Sequence, residues 1–235
     1  MAPTRISRPG LPGRRKPDLR LLVFDDLKER PRTRESLAEG AVLLRAFAVD
    51  EEGALKKALE NVLARAPFRH MTTPGGYRMS VAMTNCGGFG WVTDRRGYRY
   101  DDLDPDSGQP WPAMPAAFLD LAKRAASEAG YPRFVPDACL INRYEPGARL
   151  SLHQDRNERD FAAPIVSVSL GLPAVFLFGG GERNDRPRRV RVFHGDVAVW
   201  GGPSRLAFHG IAPLAEGEHP FLGRQRLNLT LRRAR

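Results

Sequence analysis

The chain has 235 residues, enough for one domain with a sizeable core, and its 37 lysines and arginines outnumber 27 aspartates and glutamates. The formal net charge of +10 favours polyanionic partners, nucleic acid first and membrane headgroups second. Cys86 and Cys139 lie far apart in the chain and outside any C-x-x-C pair, no apolar run reaches the ~18 residues of a membrane span, and the basic N-terminus lacks an apolar signal core. These features argue against a disulfide framework, a zinc ribbon, a transmembrane helix and secretion, so a reducing, cytoplasmic setting without membrane association is expected.

Residues 1–37 read as a basic arm, rich in proline and arginine and with little to bury. Residues 38–135 read as an α/β extension. Ala41–Ala48 suggests a short strand, and Asp50, a plausible N-cap, opens a helix to about Ala66 with Leu55, Ala58, Leu59, Val62 and Leu63 at helical spacing. Met79–Asn85 suggests a strand. The next stretch, Gly87–Tyr100, interleaves Phe89, Trp91, Tyr98 and Tyr100 with Arg95, Arg96 and Arg99. A second helix is predicted from Pro115 to Ala129, stopped by Gly130.

Residues 136–235 carry short strands only: Ala138–Tyr144, Ile165–Gly171, Ala174–Phe178, Arg189–Phe193, Val197–Trp200, Arg205–Phe208 and Arg226–Arg232. Glycine or proline turns separate them, which suits a barrel or a double-sheet jelly roll. The fold class expected is α+β, with helices flanking a β core.

Three groups of residues could carry chemistry. His153 and Asp155 are two apart, so in extended chain they point the same way. With His209 from a later strand they form the two-histidine, one-carboxylate set of a non-haem iron site, which leaves positions open on the metal. His194, in Phe-His-Gly-Asp, competes for the third place.

The last strand alternates Arg226, Asn228, Thr230 and Arg232 with Leu227, Leu229 and Leu231. The leucines suit a core. Two inward arginines, roughly 20 Å apart along a strand, suit a dicarboxylate. Asn142 and Tyr144 could add donors. The third group is aromatic and basic: Trp91, Tyr98, Arg99 and Tyr100, with a run at Arg183, Arg186, Arg188, Arg189 and Arg191, fits stacking on bases and contact with phosphates. From these residues alone, nucleic-acid demethylation, oxygenation of a protein or small molecule, and non-catalytic nucleic-acid binding all stay open.

Several motifs occur together and in order: Thr73–Tyr77, Met79–Gly87, Trp111–Pro115, Asp137–Tyr144, Leu150–Asp155, Ala163–Gly171, His194–Asp196, Val199–Gly202, His209–Gly210 and Arg226–Arg232. On these the chain, over about residues 38–235, resembles the AlkB family of Fe(II)/2-oxoglutarate dioxygenases. The resemblance implies a double-stranded β-helix (jelly-roll) core with an N-terminal nucleotide-recognition lid.

It implies Fe(II), 2-oxoglutarate and O2, with His153, Asp155 and His209 as metal ligands. The segments Asn142, Arg143, Tyr144 and Arg226, Leu227, Asn228, Leu229, Thr230, Leu231, Arg232 would form the 2-oxoglutarate site. Trp91, Tyr98, Arg99, Tyr100, Asn157 and Arg183 would meet the substrate. The implied activity is oxidative demethylation of 1-methyladenine and 3-methylcytosine, releasing formaldehyde, succinate and CO2. Single-stranded DNA is the first substrate expected, with double-stranded DNA and RNA as further candidates, and a monomer is expected. One departure stands out: Asn157 replaces an acidic residue of the family's bacterial pattern, and a neutral amide complements a cationic base less well.

Overall fold

The computed structural model describes residues 30–235. Most of the basic arm expected over residues 1–37 therefore lies outside the described residues, and its last part is not an arm. Arg34–Ala38 forms strand β1, pairing antiparallel with β2 (Ala41–Leu44). Then follow α1 (Glu52–Leu63), β3 (Ala82–Gly87), β4 (Gly90–Asp94), β5 (Gly97–Asp101) and α2 (Ala116–Glu128). The second half holds β6 (Ala138–Tyr144), β7 (Leu150–His153), β8 (Ile165–Gly171), β9 (Ala174–Phe178), β10 (Arg188–Val192), β11 (Val197–Trp200), β12 (His209–Ile211) and β13 (Arg226–Arg232).

The strands form a seven-stranded sheet in the order β1-β2-β11-β8-β13-β6-β3, a four-stranded sheet in the order β10-β9-β12-β7, and the separate β4–β5 hairpin. The boundary expected near residue 136 does not divide the sheets, because β1, β2 and β3 extend the same large sheet as β6, β8, β11 and β13. Asp50 sits in a 3-10 turn before α1 rather than capping it, and its side chain makes no cap bond. The strand expected over Arg205–Phe208 begins only at His209, because Gly202–Ser204 turns as a 3-10 helix.

Period-two alternation gives the large sheet two different faces. One face, with Val166, Val168, Leu227, Leu229 and Leu231, packs under Leu55 and Leu59 of α1 and Phe118 and Leu121 of α2. Each such leucine contributes about 1.5–3 kcal/mol by leaving water. The other face meets the small sheet, where Ile165 and Trp200 cluster with Phe176, Phe178 and Val190. Cys86 and Cys139, remote in sequence, stand opposite each other across β3 and β6 as buried free thiols.

His194 lies at the far end of this scaffold. Its Nδ1 accepts the Gly171 amide and its Nε2 lies 3.0 Å from Glu52 of α1, which accounts for it as a structural residue. The His219 ring stacks on it, centroids 4.5 Å apart. Burial, with His194 beside it, pushes the His219 pKa down from 6.5 to about 4. The folded state thus binds a proton less readily than the unfolded chain, so stability is complete above about pH 6.5 and is lost as pH falls towards 4. The melting temperature is expected to fall between pH 7 and pH 5. In His219→Asn, which keeps an acceptor for the Phe221 amide, the fall should be shallower; equal slopes in the two proteins would remove the histidine stack as its source.

Candidate active site

Strands β7 and β12 are neighbours, and their register sets His153 directly opposite His209. The imidazole centroids are 4.4 Å apart. His153 Nδ1 donates to Ser151 O at 2.9 Å and His209 Nδ1 to Ala207 O at 3.0 Å. With the proton on Nδ1, each Nε2 keeps its lone pair for a ligand. Asp155, just beyond β7, completes the group: its carboxylate oxygens lie 3.7 Å from His153 Nε2 and 3.6 Å from His209 Nε2. One ligand atom from each of the three residues falls within 4.8 Å of the others.

The electrostatics suit a cation. Burial, reinforced by His153, lowers the His209 pKa to about 4, so the ring is neutral and coordinating near pH 7. Burial alone would raise the Asp155 pKa; Arg232, His209 and His153 more than offset it and hold the carboxyl well below its usual range. Two imidazole nitrogens and one carboxylate oxygen, converging in a mostly buried corner, fit a divalent first-row metal such as Fe(II).

Arg232 and Arg226 mark the two ends of the inward face of β13. At the metal end, Arg232 Nη2 lies 2.6 Å from Asp155 Oδ2. At the other end, Arg226 is 2 % exposed. One of its Nη groups donates to Ser169 Oγ at 3.0 Å and its guanidinium lies 5.0 Å from the Tyr144 ring centroid. Its Nε and other Nη find no acceptor, no carboxylate pairs with it among the described residues, and burial lowers its pKa. A buried guanidinium without a counter-ion costs several kcal/mol. An anion from outside the chain is what such a group fits, and a 2-oxoglutarate carboxylate has the right charge and shape. Asn142 Oδ1 also lacks a partner there. Asn228 and Thr230 bond largely to each other and to Ser167 and Val168, and stiffen the floor.

Not every residue of the expected co-substrate segments reaches this space. Leu227, Leu229 and Leu231 point to the helices, on the opposite face of β13. Arg143 alternates away from Asn142 and Tyr144, lies over the Phe68 ring and pairs with Glu145.

The aromatic-basic segment forms the β4–β5 hairpin. Trp91 and Tyr98 stack, centroids 5.7 Å apart. Asn85 clamps Trp91 by accepting its backbone amide and donating to its carbonyl, both at 3.0 Å. Trp111 Nε1 donates to Asp101 O at 3.0 Å, and a Cβ at Gly90 would run into its ring, so only glycine lets the hairpin approach this closely. Asn157 Oδ1 accepts the Trp91 indole N–H at 3.1 Å. Arg183 is exposed and lies over Phe208, next to His209 in sequence.

Two expected substrate contacts are placed elsewhere. Arg99 points to the other side of the hairpin, forked onto Asp94 at 3.0 Å and paired with Asp101. Tyr100 shares a face with Tyr98, but it lies further from the turn, where the hairpin joins the body, and is buried with its hydroxyl on Glu158. Glu158 and Arg205 were not anticipated as site residues. Both are buried and pair at 3.1 Å, and a lone Glu and a lone Arg in loops carry no sequence signal.

Comparison with known proteins agrees with this geometry. Residues 40–232 match the 2OG-Fe(II) oxygenase superfamily. The chain is 60 % identical over 200 residues to Alpha-ketoglutarate-dependent dioxygenase AlkB of Escherichia coli (strain K12), covering 85 % of this chain and 93 % of that protein. It is 33 % identical over 173 residues to DNA N(6)-methyladenine demethylase ALKBH1C of Arabidopsis thaliana, covering 63 % of this chain and 38 % of that one. The solved structure of OsALKBH1 superposes with a TM-score of 0.74 at 29 % identity, over 86 % of this chain and all of that one. The converging His153, Asp155 and His209, the arginines of β13 and a match over nearly all the described residues lead to one assignment: the chain belongs to the AlkB family of 2OG-Fe(II) oxygenases.

Proposed function

We propose that this protein repairs alkylated nucleic acid by oxidative demethylation of bases such as 1-methyladenine and 3-methylcytosine, with single-stranded DNA as its main substrate and RNA as a second. The carrying observation is the unpaired, buried Arg226 on the same strand face as Arg232, which itself sits on the metal-ligand carboxylate. The division of β6–β13 between the two sheets, with β6, β8, β11 and β13 in one and β7, β9, β10 and β12 in the other, supports reading the core as a jelly roll. The aromatic β4–β5 hairpin is the element suited to act as its nucleotide-recognition lid.

In this reading His153 and His209 give Nε2 and Asp155 a carboxylate oxygen to Fe(II). Arg226, with Tyr144, would hold a carboxylate of 2-oxoglutarate, and Arg232 steadies Asp155. When bound, iron, 2-oxoglutarate and O2 together supply one oxygen atom to the N-methyl carbon and one to succinate, with loss of CO2; the resulting N-hydroxymethyl base releases formaldehyde. The residues around them orient and exclude water. Trp91 offers a stacking face to a base removed from its strand, and Arg183 offers charge to the phosphate backbone. Asn157 holds the Trp91 ring edge through Oδ1 and donates through Nδ2 to the Tyr98 carbonyl at 3.5 Å.

Formaldehyde release from an oligonucleotide carrying 3-methylcytosine tests the assignment. Wild type should release it only with both Fe(II) and 2-oxoglutarate, and Asp155→Ala should release none. Consumption of 2-oxoglutarate without formaldehyde would redirect the oxygenase to another class of substrate. Failure to bind iron would end the enzymatic reading.

Removing the cation at the far end of β13 by Arg226→Met should weaken 2-oxoglutarate binding roughly 10- to 150-fold, the equivalent of about 1.5–3 kcal/mol for hydrogen bonds to a charged group. Titration of 2-oxoglutarate in the Mn(II)-loaded protein checks this, and unchanged affinity would remove Arg226 from the site. Asn157→Asp keeps the acceptor for Trp91 and adds a charge. It should raise kcat/KM for cationic 3-methylcytosine several-fold relative to neutral 3-methylthymine; an unaltered ratio would mean that residue 157 does not face the base.

A further inference from the structure

We propose that Glu158 is a positioning residue that couples the β4–β5 hairpin to the metal ligand Asp155, so that binding of metal with 2-oxoglutarate and binding of nucleic acid strengthen each other. The inference rests on the functional reading above and adds a linkage between its two sites.

Glu158 is buried between three partners. Its Oε1 accepts the Tyr100 hydroxyl at 2.7 Å and lies 3.5 Å from Arg232 Nε; its Oε2 lies 3.1 Å from Arg205 Nη2. Both arginines continue to Asp155. Arg232 reaches its carboxylate at 2.6 Å, and Arg205 Nη1 donates to its backbone carbonyl at 3.0 Å. Asp155 is therefore fixed at side chain and main chain by two guanidinium groups that share one counter-ion, Glu158. Two carboxylates and two guanidiniums leave this quartet without net charge.

A purely structural ion pair would need only Arg205 and Glu158. The network instead extends through Tyr100, whose hydroxyl also accepts from Arg232 at 3.3 Å, into the hairpin. Tyr100 is the cross-strand partner of Trp91. Asn157 binds the Trp91 indole and Glu158 binds Tyr100, so two consecutive residues grip the two facing members of one pair. These residues follow Asp155 by two and three positions. A shift of the hairpin towards a base is thereby transmitted to Asp155 through buried, short contacts, and a metal on Asp155 stabilises one hairpin position. Such coupling is reciprocal for the two ligands.

The test uses Mn(II), which does not support turnover, and a fluorescent oligonucleotide carrying 3-methylcytosine. For wild type, the oligonucleotide Kd should fall at least about fivefold when Mn(II) and 2-oxoglutarate are present together. Tyr100→Phe deletes the hydroxyl but leaves both arginines on Glu158. It should bring that ratio to within about twofold of unity, with the affinity for Mn(II) and 2-oxoglutarate alone close to wild type and a melting temperature lowered only by the loss of one buried hydrogen bond. Glu158→Gln should lose the coupling as well and also weaken Mn(II) binding, since it frees the two arginines. A wild-type ratio of one, or a Tyr100→Phe ratio equal to that of wild type, overturns the coupling while leaving the demethylase assignment to its formaldehyde assay. An oligonucleotide that does not bind at all overturns both.

Discussion

Strand β13 has to satisfy two unlike neighbours at once. Its odd-numbered residues, Leu227, Leu229 and Leu231, are sealed beneath two helices, and its even-numbered ones face the small sheet. A slip of one residue against β6 or β8 would send three leucines into the polar space and two guanidiniums into the helix-packed core. The pairing is fixed along the whole strand on both sides, from Arg226 against Tyr144 and Gly171 to Leu231 against Cys139 and Val166. The hydrophobic term thus enforces the register, and the register positions the charges. The chemistry at one face is specified by apolar burial at the other.

Charge placement follows the same row. Where β13 meets the ligand cluster, Arg232 stands among Asp155 and Glu158, and the buried charges compensate one another. Where it leaves the cluster, Arg226 has a hydroxyl and an aromatic ring for company and, among the described residues, no carboxylate. Buried ion pairs add little to stability against a hydrophobic alternative, whereas a buried charge without a partner is expensive. The asymmetry therefore has no explanation in folding. It fits the proposed binding of an anion from outside the chain at Arg226.

Much of this was legible in the chain because period-two patterns survive intact wherever a strand is long. The whole of β13, β6 and β8, with bounds, could be read from alternation and turn residues, and the leucine and arginine faces could be assigned to core and site. His153 and Asp155 follow from their spacing. What could not be read depends on partners remote in sequence. The opposition of His153 and His209 is a property of β7 beside β12, strands of four and three residues with no pattern of their own. Arg99 looks like a phosphate ligand until Asp94, across the hairpin, takes its fork. Tyr100 looks like Tyr98 until its distance from the turn decides that it is buried. Glu158 and Arg205 find each other across the fold, and neither position is marked by type or spacing.

The division between rigid and adaptable parts has a physical logic. Metal and co-substrate demand positions held to a fraction of an ångström, and a misplacement of about 1 Å can cost a hundredfold in rate. The two facing sheets supply that precision, since β7, β12 and β13 are each paired on at least one side and closed by packed cores. The β4–β5 hairpin, a two-stranded ribbon outside both sheets, has fewer strand partners to fix it. The shortest chain route between the hairpin and the ligand cluster runs from Asp155 through Asn157 to Glu158, and each of the last two holds one aromatic ring of the hairpin. Both grips lie within three residues of Asp155, so the aromatic hairpin and the His153–Asp155–His209 cluster are tied together over a short stretch of chain.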